Sequence, residues 1–97
     1  MFVKKYFVYI LTNYANTVLY TGITNDWQRR VLEHKQGFAI NSFCKRYKLY
    51  KLVWIQEFNN PIEAISAEKK IKDMRRSKKI DLIKQLNPLF KDLTTLG

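Results

Sequence analysis

The sequence predicts an α+β domain built on a three-stranded, largely antiparallel sheet with helices packed on it, in the order β-β-α-β-α-α. Two runs rich in β-branched and aromatic residues, 5–12 (K-Y-F-V-Y-I-L-T) and 17–23 (T-V-L-Y-T-G-I), lie either side of a short polar stretch and read as a hairpin. A third such run, 49–57 (L-Y-K-L-V-W-I-Q-E), stands alone. Between and after the strands lie segments with helical start and stop signals. The 97 residues fill one domain, 1–97, and leave no room for a second. With 46% hydrophobic residues the chain can bury a core of its own.

If Asn13 to Asn16 form the hairpin turn, Thr12 opposes Thr17, Tyr9 opposes Tyr20 and Gly22 opposes Phe7. Both phenols then share one sheet face, with Gly22 leaving space beside them; a one-residue slip would separate them. Asn25 followed by Gln28 resembles a capping box and Gly37 suits a helix end, so a first helix is expected over 26–36. On its projection Trp27, Arg30, Val31 and His34 lean toward the sheet, whereas Arg29 points about 200° away from Trp27. Residues 38–48 lack periodicity and read as an exposed basic loop that Phe38, Ile40 and Phe43 could pin.

Asn60 as N-cap, Pro61 at N1 and Glu63 at N3 mark the start of a second helix, about 61–74. Ala64, Ala67, Ile71 and Met74 form its inner stripe, and Glu68 lies at the border of that stripe. A last helix, about Ser77 to Leu86, is expected to bury Leu82, Ile83 and Leu86 and to stop at Asn87-Pro88.

Eighteen Lys and Arg against eight Asp and Glu give a net charge of +10, which favours polyanionic partners, nucleic acid first. From Glu68 to Lys84 eight cations stand against three acids. Lys69, Lys72, Arg75, Arg76, Lys78 and Lys79, with Lys45 and Arg46 of the basic loop, are the candidate phosphate contacts. The basic helices lack an aromatic anchor on an apolar face, so membrane binding is not expected, and no apolar run is long enough to span a bilayer. One cysteine, Cys44, and one histidine exclude an internal disulfide and a structural zinc site, and a cytoplasmic location is expected.

Paired Tyr9 and Tyr20, inward Arg30 and His34 and a border Glu68, all expected at one sheet face, are the parts of a phosphodiester site. A carboxylate can hold a divalent metal, an arginine can neutralise charge growing on a phosphate, and a phenol or imidazole can move a proton from water. Glu68 can equally pair with Lys72 one turn on.

In these residues the sequence resembles the GIY-YIG nucleases. Phe7-Val8-Tyr9 matches the first signature and Tyr20-Thr21-Gly22 the second, with the tyrosines eleven positions apart and Arg30 ten beyond Tyr20. The first signature has Phe7 in place of glycine, and the second has Thr21 where isoleucine or valine is usual. The resemblance covers nearly the whole chain, is nearest to small standalone bacterial members, and extends to the N-terminal nuclease module of the incision subunit of nucleotide excision repair. It implies an endonuclease using one Mg²⁺ or Mn²⁺ held by Glu68, with Arg30 clamping the phosphate and a signature tyrosine activating water. His34 belongs to the same constellation, and Asn87 matches a family asparagine near the site. DNA leads RNA as the expected substrate. The runner-up is a nucleic-acid-binding module, weakly active or inactive, that works with a partner protein. The sequence leaves the oligomeric state open.

Overall fold

The computed structural model describes residues 5–35 and 42–95, with the side chains of His34, Lys35, Ser42, Phe43 and Thr95 outside that description. The elements are β1 (Tyr6–Thr12), β2 (Leu19–Thr24), α1 (Trp27–Lys35), α2 (Ser42–Tyr47), β3 (Lys51–Phe58), α3 (Pro61–Lys72) and α4 (Arg76–Leu86), followed by a 3-10 turn, Leu93–Thr95. The α+β class holds, with a fully antiparallel sheet in the order β2-β1-β3. None of the described helices is long and apolar enough to cross a membrane.

Alternation along β1 divides the core into two layers. Val8 and Ile10 face a cluster with Val53, Trp54, Ala64, Ile71, Ile83 and Phe90, covered by α3 and α4. Tyr9 and Leu11 face the other way, into a cluster with Val31, Cys44, Leu49 and Leu52, covered by α1 and α2.

The hairpin register differs from the expected one by two residues. Tyr9 pairs with Gly22, Leu11 with Tyr20, Thr12 with Leu19, and Phe7 with Thr24 rather than Gly22. The turn is wider because the Asn13 side chain organises it. Asn13 Oδ1 accepts from the Thr17 and Val18 amides at 2.8 and 3.1 Å, its Nδ2 donates to Thr17 Oγ1 at 2.7 Å, and Thr12 Oγ1 donates to the Val18 carbonyl at 2.7 Å. These bonds hold residues 13–18 out of the ladder. An even shift preserves the face of every side chain, so Tyr9 and Tyr20 still lie together.

Asp26, not Asn25, caps α1: its Oδ1 accepts from the Arg29 amide at 3.2 Å, while its own amide donates to Thr24 Oγ1 at 3.1 Å. The expected loop over 38–48 contains the short helix α2, pinned by buried Cys44 and Leu49; Phe38 and Ile40 lie outside the described residues. Helix α3 begins as expected, with Asn60 Oδ1 accepting from the Ile62 amide at 2.8 Å and Pro61 in the first turn. On α4 Ile83 is fully buried, but Leu86 is 67% exposed. Phe90 fills that end of the core instead, because the chain turns back after Pro88 with Phe90 at a φ of 53°.

Asn87 fastens this return. Between Ile10 and Leu11 the β1–β3 pairing skips Val53, a bulge. Asn87 Nδ2 donates to the Val53 carbonyl at 3.1 Å and to the Lys91 carbonyl at 2.7 Å, and its Oδ1 accepts from the Lys91 amide at 3.0 Å. The chain then passes the β3 edge, where Asp92 Oδ1 accepts from the Leu52 amide at 3.3 Å, and Leu93 joins the opposite layer. Replacing Asn87 with Ala removes three bonds and leaves buried backbone groups unpaired. Asn87→Ala is expected to lower unfolding stability by about 2–4 kcal/mol in urea titrations.

Candidate active site

Two strands and two helices supply the site. Gly22 sits directly opposite Tyr9, and a β-carbon built there would overlap the phenol oxygen and come within 2.5 Å of Cζ. The missing side chain therefore lets the Tyr9 ring lie across β2. Tyr20, one pair along the same face, packs beside it with ring centroids 6.4 Å apart and planes tilted by 47°. Tyr9 is 2% exposed, whereas Tyr20 is half-buried.

Helix α1 packs on this face through Val31 and Trp27. Arg30 is half-buried on the same helix, its charge acts on Tyr9, and its Nε is buried with no hydrogen-bond partner among the described residues. Arg29 is exposed and held by Asp26 at 3.5 Å and Glu33 at 3.4 Å. The two adjacent arginines thus differ as the helical projection requires. His34 follows Arg30 by one turn in α1, but its side chain lies outside the described residues.

Glu68 was expected on the same sheet face as the tyrosines. It comes instead from α3, which packs on the opposite face and lies chiefly against β2 and β1. The reason is the stripe Ala64–Ala67–Ile71, which seats α3 on Val8 and Ile10. The Glu68 charge still reaches the phenol. Burial pushes the Tyr9 pKa above the ordinary 10.0; the charges of Tyr20, Cys44 and Glu68 push the same way, and Arg30 opposes them. The site is therefore assembled from both layers. Glu68 also pairs with Lys72 at 3.3 Å, the alternative that their spacing allowed.

Asn87 is 5% exposed, with its amide committed to the backbone of β3 and the C-terminal return. Sequence reasoning found this residue as a helix end and missed what it clamps; a buried Asn before Pro is the available signal. Thr21 was also missed as an energetic feature. It is 4% exposed, and its hydroxyl finds no partner among the described residues.

The candidate phosphate contacts are spread over α2, α3, α4 and the turn before α4. Lys69 and Lys72 adjoin Glu68 on α3, whereas Lys70, Arg75 and Lys78 line a recess at the α3–α4 corner. Arg76 Nη2 donates to the Asn16 carbonyl of the hairpin turn at 3.1 Å, which makes it a brace between layers of sequence 60 residues apart. Lys79 is half-buried on α4. Lys45 and Arg46 are exposed on α2, with Arg46 stacked over the Tyr47 ring at 5.6 Å.

A family model described as the GIY-YIG catalytic domain matches residues 5–81. The chain belongs to the GIY-YIG nuclease family. Among relatives of this GIY-YIG protein, a UPF0213 protein of Syntrophus aciditrophicus is 35% identical over 85 residues, spanning 88% of this chain and 95% of the relative. The UPF0213 protein VPA1222 of Vibrio parahaemolyticus is 36% identical over 76 residues, or 78% of this chain and 70% of that one. The solution NMR structure of the UPF0213 protein BH0048 from Bacillus halodurans superposes with a TM-score of 0.59 at 29% identity, covering 96% of this chain and 97% of the other. The aligned region spans 70% or more of the length of each of these three proteins.

Two measurements check the site. Tyr9 is neutral in the folded state well beyond the pH at which an unfolded tyrosine ionises, so its contribution to stability is complete below about pH 10 and is lost as pH rises. Unfolding free energy is expected to fall by about 1.4 kcal/mol per pH unit above pH 10 from this residue, and Tyr9→Phe should remove that slope. Thr21→Val, which deletes a buried unpartnered hydroxyl at constant shape, should raise stability by about 1 kcal/mol, read as a higher denaturant midpoint with an unchanged slope.

Proposed function

We propose that this GIY-YIG protein is a cytoplasmic, divalent-metal-dependent endonuclease that hydrolyses phosphodiester bonds, with DNA as the preferred substrate. What supports the reading is that Tyr20 packs beside Tyr9 and that the charges of Arg30 and Glu68 both act on its phenol, with Arg30 carrying a buried Nε–H that has no acceptor among the described residues. A guanidinium held in this way is ready for an acceptor that arrives with the substrate, and the bidentate fork suits a phosphate.

Among the described residues no three of His, Cys, Asp and Glu come together into a closed metal cage. The donor set fits a hard cation that takes one carboxylate and completes its shell with water and substrate oxygens, as Mg²⁺ or Mn²⁺ does. Glu68 would hold it, and Lys72 would exchange its carboxylate contact for a phosphate. The ion would supply Lewis-acid stabilisation of charge on the phosphoryl oxygens.

The tyrosines divide the remaining work. Tyr9 is desolvated and resists ionisation, so it serves as a hydrogen-bond donor with a fixed ring. Tyr20 keeps part of its surface in water and is assigned the relay: it takes a proton from the attacking water as its own phenol proton passes to solvent. Arg30 binds the scissile phosphate and gains most where negative charge develops. His34, one turn beyond Arg30, remains a proposed proton carrier, while Asn87 positions the scaffold through its backbone bonds. Lys69 and Lys72 beside Glu68, with Lys45 and Arg46, are the proposed phosphate contacts outside the reacting centre. The excision-repair resemblance makes branched and nicked DNA the first substrates to offer.

The reading is tested by incubating the protein with branched, nicked and single-stranded DNA and RNA in Mg²⁺, Mn²⁺ or EDTA. Glu68→Gln should abolish cleavage while folding and EDTA-state binding persist. In single-turnover assays at saturating protein, Arg30→Ala should slow cleavage by about 100-fold or more, and Arg30→Lys should not restore it. Arg29→Ala should cut at close to the wild-type rate under the same conditions. Equal rates for the Arg29 and Arg30 variants would remove Arg30 from the reaction. The Glu68–Lys72 pair supports the second reading, a nucleic-acid-binding module, and wild-type protein that binds but never cuts any substrate with any divalent ion would establish it.

A further inference from the structure

The flank of α3 turned away from Glu68 carries a groove that the proposed nuclease chemistry does not use. Taking Glu68 as reference, Lys70 projects about 200° around the helix, on its far side. Two recesses meet there, sharing Lys70 and Met74. One, of about 280 Å³, has an apolar floor of Trp54, Phe58, Ala67, Ile71, Met74 and Leu82. The other, of about 620 Å³, is rimmed by Lys70, Arg75 and Lys78 with Asp73 as its single acid. On α4, Lys78, Leu82 and Leu86 recur every fourth residue, so the exposed Leu86 prolongs the apolar stripe.

From this juxtaposition we infer that the α3–α4 groove is a docking surface for an acidic, amphipathic helical segment of a partner protein. Its cations are gathered at one end and exposed, whereas the floor is apolar apart from Gln56 and carries no charge besides the shared Lys70. A nucleic-acid strand needs cations spaced along its backbone or an exposed aromatic platform for its bases. The floor offers neither: Trp54 is 3% exposed, and Phe58 is half-buried. Apolar side chains at helical spacing match the floor, and carboxylates on the flank of the same segment match Lys70, Arg75 and Lys78. The inference uses none of the residues placed at the reacting centre; Arg75 and Lys78 were candidate phosphate contacts, and the oligonucleotide arm below separates the two uses.

The chain has two methionines, Met1 and Met74, so labelling methionine methyl groups with ¹³C gives a reporter inside the groove, assigned with Met74→Leu. The probe is a synthetic helix-forming peptide with leucines at i, i+4 and i+7 and glutamates flanking them. It is expected to shift the Met74 methyl signal saturably, and a peptide of equal charge with serine in place of leucine should bind at least 10-fold more weakly. The double variant Lys70→Glu, Lys78→Glu, at exposed positions, should lose at least 10-fold affinity and regain binding to a peptide with lysine in place of glutamate. An unmoved Met74 signal, equal binding of the serine peptide, or no effect of charge reversal would overturn the proposal. So would a single-stranded DNA oligonucleotide that shifts Met74 and displaces the peptide, since the groove would then be a nucleic-acid surface. The comparison of the two peptides needs only the wild-type protein, so it decides the question even where the double variant fails to fold.

Discussion

The close approach of the Tyr9 ring to the backbone at Gly22 is the constraint on which the arrangement depends. A strand residue normally projects its β-carbon into the space that the phenol occupies. Only at this one pairing can the ring lie flat over its neighbour, so the contact fixes the register of β1 on β2, brings Tyr20 alongside, and removes the Tyr9 hydroxyl from water. The electrostatics follow from the same geometry. Burial makes the Tyr9 phenol a reluctant acid, an effect that the nearby Arg30 charge only partly offsets, whereas Tyr20 beside it keeps part of its surface in water.

A second set of contacts holds the layers in place around that pair. The bulge at Val53 turns β3 and leaves a carbonyl that the ladder does not use; Asn87 takes it and, with the same side chain, ties down the chain that returns from α4. Asp92 then covers part of the β3 edge. On the other edge Arg76 reaches the hairpin turn. Each brace reaches a backbone group on the sheet or its turn that the strand ladder leaves unpaired.

Much of this was legible in the sequence because it rests on local signals. The three strands, the Asn60–Pro61 start of α3, the stop at Asn87-Pro88 and the contrast between Arg29 and Arg30 follow from residue type and helical or strand period alone. The differences arose where a side chain bonds across several residues or where packing decides. Asn13 widens the turn by hydrogen bonds that no period reports, and Asp26 displaces Asn25 as cap because Thr24 holds its amide. The aperiodic stretch hid α2, whose six residues are too few to show a pattern. Leu86 has the right position on the helix but lies past the end of the sheet, where Phe90 takes its place. Candidate site residues could be named from their types and order; that Glu68 approaches from the other layer is tertiary information, set by which face of α3 meets Val8 and Ile10.

That two-layer origin has a consequence for the life of the chain before it is fully folded. The tyrosine pair and Arg30 are brought together by the hairpin and α1, whereas Glu68 arrives only when α3 docks on the reverse of the sheet. A nascent or partly opened chain with one layer in place therefore holds only part of the candidate constellation. Under the proposed function, docking of the second layer acts as an interlock, because neither layer alone carries all of the candidate groups.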